Sequence, residues 1–251
     1  MASAMRPEEI TRSEHRDYYS AGGYSDDRLR WTVDNFLSDC EGKSILEIGS
    51  GDGRLLKLLQ SNNDVQGIDA ADSGVRACLN HGIPAQCLDV SAECLPFSSG
   101  KFDVVIILET FEHLMNPYFA ALEIRRVLKH EGRLICSVPN PLTGHIYLYP
   151  GLFEFKNFSQ FLQQAGFRIV RVRPWQWVPR EMILPAPLRK IPVLRGRYVA
   201  GVIRRGIELA WRAFGAFPAF CYWLWTFECQ IEPKEEISAL RQQALQTRPK
   251  G

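Results

Sequence analysis

The sequence predicts an α/β protein with a doubly wound, mostly parallel sheet of seven strands and a helical insertion before the last strand. Three observations predict it. Apolar, strand-like runs alternate with helical patterns from residue 44 to residue 173, which is how parallel sheets are connected. The first run, Ile45 to Ile48, passes into Gly49-Ser50-Gly51-Asp52-Gly53, and a helical pattern of Leu55, Leu56, Leu58 and Leu59 follows at once. Strand, glycine turn and helix in that order form a nucleotide-type site, because glycine accepts positive φ and lets backbone approach a ligand. Finally, Asp69, Asp89 and Glu109 each stand at or just beyond a strand end, where such a sheet keeps its binding crevice.

The elements follow in order. Residues 1–40 hold a polar leader and a helix from Tyr24 to Phe36, with Leu29, Val33, Phe36 and Leu37 on one face. Residues 41–173 form the core. Its strands are Ser44–Ile48, Val65–Ile68, Ala85–Leu88, Phe102–Leu108, Arg133–Val138 and Phe167–Arg173. The fourth of these is almost wholly apolar, as a central parallel strand should be. Helices are expected over 72–80, with Val75 and Leu79 inward, over Tyr118–Leu128, and over Asn157–Ala165. Gly132 is placed as the C-terminal cap after Lys129-His130-Glu131. Residues 174–226 break the alternation, with five prolines up to Pro192 and then a helical pattern from Arg197 to Phe217. Residues 227–251 supply the last strand and a polar tail.

Bulk properties narrow the function classes. At 251 residues, with 46% apolar and 23% charged, the chain can bury a sizeable core. A net charge of +2 gives no strong global field toward nucleic acid. Seven cysteines, in no metal or redox spacing, read as reduced and mostly buried thiols in a cytoplasmic compartment. Residues 1–12 carry no secretory signal. The longest uncharged stretch, Ala213 to Phe227, is fifteen residues and includes Pro218. That is short for a membrane span but suits an interfacial segment.

The glycine spacing is informative. A dinucleotide loop needs its third glycine where this chain has Arg54. The pattern here is Glu-x-Gly-x-Gly-x-Gly from Glu47 to Gly53, which resembles the first motif of the class I S-adenosylmethionine-dependent methyltransferases, a Rossmann-like fold. The resemblance spans about residues 44–172 and implies S-adenosylmethionine as cofactor. It implies that Glu47 orders the methionine end, that Gly49, Ser50, Gly51 and Gly53 form the loop, and that Asp89 accepts from the adenine amino group beside Val90. Asp69, with Ala70 after it, ends the second strand twenty residues beyond Gly49 and can accept both ribose hydroxyls or cap the next helix.

After the fourth strand comes Glu109-Thr110-Phe111-Glu112-His113. The Glu-x-x-Glu-His spacing resembles ubiquinone-pathway O-methyltransferases and small-RNA 3′-end methyltransferases. In the latter it helps hold a divalent metal, and Glu109, Glu112 and His113 are suitable ligands. A purely structural signature is the preferred reading, with Glu109 then counted at the cofactor site. Val138-Pro139-Asn140-Pro141 also resembles the family, in which that loop borders the acceptor. His113 and His145 are the candidate bases, and Tyr147 and Tyr149 are candidate acceptor contacts. Tyr18, Tyr19 and Tyr24 stand where related enzymes close a tyrosine over the cofactor. The text Gly74-Val75-Arg76-Ala77-Cys78 with Gly82-Ile83-Pro84 resembles a small methyltransferase-like protein linked to methionine biosynthesis.

Residues 173–226 carry nine basic and two acidic residues, a surplus of +7 against −5 elsewhere. The amphipathic stretch 197–226, ending in Tyr222, Trp223 and Trp225, suits peripheral contact with a membrane, a cap over an apolar acceptor pocket, or simply cover for the sheet. No recognised nucleic-acid fold accompanies the basic residues, which argues against nucleic acid as partner. The expected activity is methylation of a small-molecule acceptor, with oxygen on a hydrophobic or amphipathic compound as the expected target. The alternatives are a cofactor-binding partner protein without turnover and a metal-assisted RNA 3′-end methyltransferase.

Overall fold

A computed structural model describes residues 25–141, 148–149, 151–177, 202, 205–206, 209 and 222–233. In chain order, α1 is Asp26–Thr32, continued by a π-helical turn over Val33–Leu37. There follow β1 Ser44–Ile48, α2 Arg54–Leu59, β2 Asp64–Asp69, α3 Asp72–Asn80, β3 Ala85–Cys87 and β4 Phe102–Leu108. A 3-10 turn over Phe111–His113 leads to α4 Pro117–Val127, β5 Leu128–Pro139, α5 Phe155–Gln164, β6 Phe167–Trp177 and β7 Tyr222–Ile231.

The seven strands lie in the order β3-β2-β1-β4-β5-β7-β6. β3, β2, β1, β4 and β5 are parallel, and β7 runs antiparallel between β5 and β6. Helices on both faces bury alternate sides of the central strands. Leu46, Ile48, Val105 and Ile107 join an aromatic-rich layer with α4 and α5, where Phe111, Phe158, Phe161 and Phe227 pack ring against ring. Ile45, Val104, Ile106 and Leu108 face the other layer, built from α1, α2 and Cys78 of α3. At α4 the local chemistry is complete: the Asn116 side chain accepts from the Phe119 N–H at 3.1 Å, and Pro117 takes the first helical position.

Several expected details are corrected. Gly132 is not a helix cap. α4 ends at Val127 because Leu128 turns extended, and β5 begins there. The β4–β5 register shifts between Phe102–Leu128 and Val104–Arg133, so the residues between bulge out. A Cβ on Gly132 would sit 2.9 Å from the Lys129 carbonyl and 3.1 Å from that of Asp103, so the constraint is space. Leu79 is 54% exposed, and Cys78 is the residue of α3 that enters the core beside Val75. The sheet also takes in 174–177 and 222–226, which the sequence placed in the insertion, because β6 and β7 pair out to Trp177 and Tyr222. Pro174 and the dense tryptophans hid this strand extension in the sequence, and of 222–226 only Trp223 is exposed. Cys40, Cys78, Cys136 and Cys229 are buried free thiols, whereas Cys87 and Cys94 are exposed. Tyr18, Tyr19, Tyr24 and the helix expected over 197–217 lie outside the described residues, apart from Val202, Arg205, Gly206 and Leu209, which are helical. Among the described residues no helix is long and apolar enough to cross a membrane.

Candidate functional site

The carboxyl ends of β1, β2, β3 and β4 lie side by side, and the predicted residues gather there. Gly49, Gly51 and Gly53 have φ of 72°, 53° and 76°, so all three require the left-handed region that glycine enters at least cost. The turn is anchored from both sides. The N–H groups of Gly49 and Ser50 donate to the Ile68 carbonyl at 2.8 and 3.1 Å. Ser50 Oγ lies 3.7 Å from Cys78 Sγ, and a Cβ on Gly67 would sit 2.7 Å from Ser50 Oγ. The glycines serve packing as well as ligand approach: a Cβ on Gly49 would lie 2.2 Å from Thr110 Oγ1, and one on Gly53 would lie 2.9 Å from Cys78 Sγ.

Asp69 is only 4% exposed. Its Oδ2 accepts the Gly51 N–H at 2.7 Å and its Oδ1 accepts the Ala71 N–H at 2.7 Å. The carboxylate therefore ties the glycine turn to Ala71, the residue that precedes α3; it does not cap that helix, whose N-cap is Ala71 with no side-chain cap bond. A carboxylate oxygen can accept more than one hydrogen bond, so these contacts are compatible with a role toward ribose hydroxyls. Ala70 sits beside it, half-buried. Asp89 folds a tight turn: its Oδ1 accepts the Ser91 N–H at 2.8 Å, with Val90 buried behind it. β3 ends at Cys87, so Asp89 stands two residues beyond the strand.

Glu47 is 5% exposed, and its Oε2 has no hydrogen-bond partner among the described residues. Burial, then the charges of Asp69 and Asp52, push its carboxyl well above the usual range. A buried acceptor beside a glycine turn fits the ammonium of a methionine moiety, which would supply both the charge and the donor that it lacks. The chain's residues thus fit S-adenosylmethionine.

Glu109 departs from the expected picture. Its φ is 44°, unusual for a residue with a side chain. Its carboxylate forms an ion pair with Arg28 of α1, whose Nη2 also donates to Ser137 Oγ at 3.1 Å. Burial raises the Glu109 carboxyl, with Arg28 opposing. Glu112 is fully buried and raised well above the usual range, first by burial and then by the charge of Glu109. His113 is partly exposed, with Nε2 4.0 Å from Glu112 Oε1. Among the described residues Glu109, Glu112 and His113 do not converge as a metal-ligand group. His145 and Tyr147 lie outside the described residues. Tyr149 donates its hydroxyl to the Met115 carbonyl at 2.9 Å, and the Leu148 N–H meets the Glu112 carbonyl at 3.3 Å, so the loop after β5 returns to the 3-10 turn. Asn140 is buried and held by β7, its Nδ2 donating to the Tyr222 carbonyl at 2.8 Å.

Sequence reasoning missed Arg28, Thr110 and Ser137. The signal for Arg28 was present: Arg28, Thr32 and Phe36 recur at helical spacing, and all three are buried.

Residues 46–136, from the third residue of β1 into β5, match the family model described as a methyltransferase domain. A crystal structure of an S-adenosylmethionine-dependent methyltransferase from Archaeoglobus fulgidus superposes with a TM-score of 0.59, covering 85% of this chain and 97% of that one at 18% identity. Residues 46–136 are thus a methyltransferase domain by sequence, and the fold is that of the S-adenosylmethionine-dependent methyltransferase structures. The ubiquinone biosynthesis O-methyltransferase of Roseobacter denitrificans is 32% identical over 105 residues, 40% of this chain and 42% of that protein. The O-methyltransferase cnsE of Penicillium expansum is 28% identical over 164 residues, 58% and 59% of the two chains. The methyltransferase core thus spans about two fifths of the length of the first of these relatives. The fold alone does not fix a reaction: the crystal structure of the [4+2]-cyclase SpnF shares it at a TM-score of 0.55, 18% identity, and coverage of 82% of this chain and 80% of that one.

Proposed function

We propose that this protein transfers the methyl group of S-adenosylmethionine to an oxygen of a hydrophobic or amphipathic small molecule. The observation that carries the cofactor half is Glu47: a buried carboxylate oxygen with no hydrogen-bond partner among the described residues, beside three glycines in the left-handed region. Glu47 would accept from the cofactor ammonium, Asp69 from the ribose hydroxyls and Asp89 from the adenine amino group, with Val90 against the ring. When bound, the cofactor supplies a sulfonium methyl that the acceptor oxygen takes in line, the electrons of the broken C–S bond returning to sulfur.

The chain's contribution is orientation, exclusion of water and removal of the acceptor proton. His113, partly exposed on the 3-10 turn after β4, is the imidazole assigned to that proton. The oxygen target is supported by relatives whose names specify O-methyltransferases. The apolar and aromatic content of 197–226 supports a hydrophobic acceptor, and its basic surplus supports peripheral membrane contact of a cytoplasmic protein. Calorimetric titration with S-adenosylhomocysteine, with NADH as control, tests the site. Micromolar binding of the first and none of the second is expected. Absence of binding to S-adenosylhomocysteine would remove every cofactor assignment.

A further inference from the structure

We infer that Arg28 is a positioning residue for the cofactor loop, acting through Glu109 and Thr110 across the carboxyl ends of β4 and β5. The inference rests on the cofactor reading above. Four observations meet at this point. Arg28 is 5% exposed on α1, a helix packed outside the sheet, yet its guanidinium reaches between Glu109 and the hydroxyl of Ser137 on β5. Glu109 holds a left-handed backbone conformation, and its N–H donates to the Ser137 carbonyl at 2.9 Å. The next residue, Thr110, donates its hydroxyl to the Leu108 carbonyl at 3.0 Å and places that oxygen 2.2 Å from where a Gly49 Cβ would stand. Glu112, fully buried one helical turn on, adds a second acidic group in the field of Arg28.

The geometry gives each residue a task. A non-glycine residue stays at positive φ only where its surroundings hold it there. The planar fork of Arg28 does so by bonding a carboxylate and a hydroxyl at once, which a lysine ammonium on a flexible stem cannot reproduce. With Glu109 fixed, Thr110 is pressed against Gly49, and the first residue of the glycine turn has one position. Arg28 is assigned no contact with the cofactor itself. Its effect passes through the turn at 109–110 to the backbone that receives the methionine end.

The test uses the full-length chain and S-adenosylhomocysteine as probe, with affinity from calorimetry and stability from urea unfolding. Three variants are compared: Arg28→Lys, Arg28→Met and the pair Arg28→Met with Glu109→Gly, which removes both charges and lets glycine take the left-handed turn unaided. Arg28→Met is expected to weaken binding about tenfold to a hundredfold, in line with the cost of small misplacements, and Arg28→Lys by less. The paired variant is expected to recover most of the lost affinity. Where Arg28→Met is too unstable to titrate, Arg28→Lys carries the comparison. Binding within about twofold of wild type in both single variants overturns the inference alone. A paired variant that regains stability but not affinity also overturns it, and makes Arg28 a direct ligand instead. Wild-type protein that fails to bind overturns both this inference and the cofactor assignment.

Discussion

The two ends of the parallel sheet treat their acids in opposite ways. At the amino end, Asp103 accepts from the Ser44 N–H at 2.9 Å, the Ser44 hydroxyl at 2.8 Å and Lys129 Nζ at 2.8 Å. Burial opposes its charge, but Lys129 and Ser44 outweigh it and hold the carboxyl at about 2. Asp39 is likewise lowered, chiefly by its bond with Arg133. At the carboxyl end, Glu47, Glu109 and Glu112 are all raised, each chiefly by burial. At one end the acids are matched to cations within the fold; at the other, burial outweighs the pull of Arg28 on Glu109 and Glu112, and Glu47 Oε2 has no hydrogen-bond partner among the described residues. The first arrangement suits stability and the second suits binding.

The largest effect is expected where the site's backbone has no slack. Gly49→Ala places a Cβ against Thr110 and imposes a side chain at positive φ, so a loss of about 3 kcal/mol in urea unfolding is expected. Adding Thr110→Ala should restore the packing part and leave the backbone part, about 1–2 kcal/mol. If the double variant is as unstable as the single, the contact with Thr110 is not the constraint.

Asp69→Ala should weaken S-adenosylhomocysteine binding on the order of a hundredfold, because it removes ribose acceptors and frees the Gly51 and Ala71 N–H groups together. Unchanged affinity by calorimetry would show that Asp69 only ties the glycine turn to the residue before α3.

Glu47→Gln sharpens the contrast between the ends. Binding should weaken about tenfold through loss of the charged acceptor. Stability should rise, because the folded pKa lies above the unfolded value of about 4.3, so the fold prefers the neutral form that glutamine imitates. The gain should be absent below about pH 4.3 and grow as pH rises above it. Urea midpoints at pH 4 and pH 8 check the sign, and a loss of stability at pH 8 would refute it.

The smallest effect is expected at the other end. Asp103→Asn should cost about 1 kcal/mol near neutral pH. The folded value of about 2 lies below the unfolded value of about 3.9, so the stabilisation is full above about pH 4 and fades as pH falls toward 2. Wild type and variant should converge at the acid end, and a constant difference would mean the charge is not responsible.

Much of the layout of the candidate site was legible in the sequence. The glycine turn announced itself through local spacing, and Asp69 and Asp89 through their position after apolar runs, since strand ends and turns depend on neighbours a few residues away. Glu109 was placed at the right edge of the sheet, but its partner was not foreseen. Arg28 sits in a different helix, and an arginine among charged neighbours reads as solvated surface until the helix is docked. Gly132 failed for a related reason: a glycine after a basic turn looks like a cap, and only the register shift against β4 shows that space between two carbonyls is what it supplies.

By itself, the amino-acid sequence determined the alternation of strands and helices, the left-handed glycine turn and the set of acids at the strand ends, because these follow from side-chain period and backbone sterics. The tertiary structure alone decided which of those acids are paired. Lys129 reaches Asp103 through a bulge and Arg28 reaches Glu109 across the sheet edge, while Glu47 Oε2 is left without a hydrogen-bond partner among the described residues. Burial and long-range partners set a carboxylate's charge, and neither exists until the distant segments have packed.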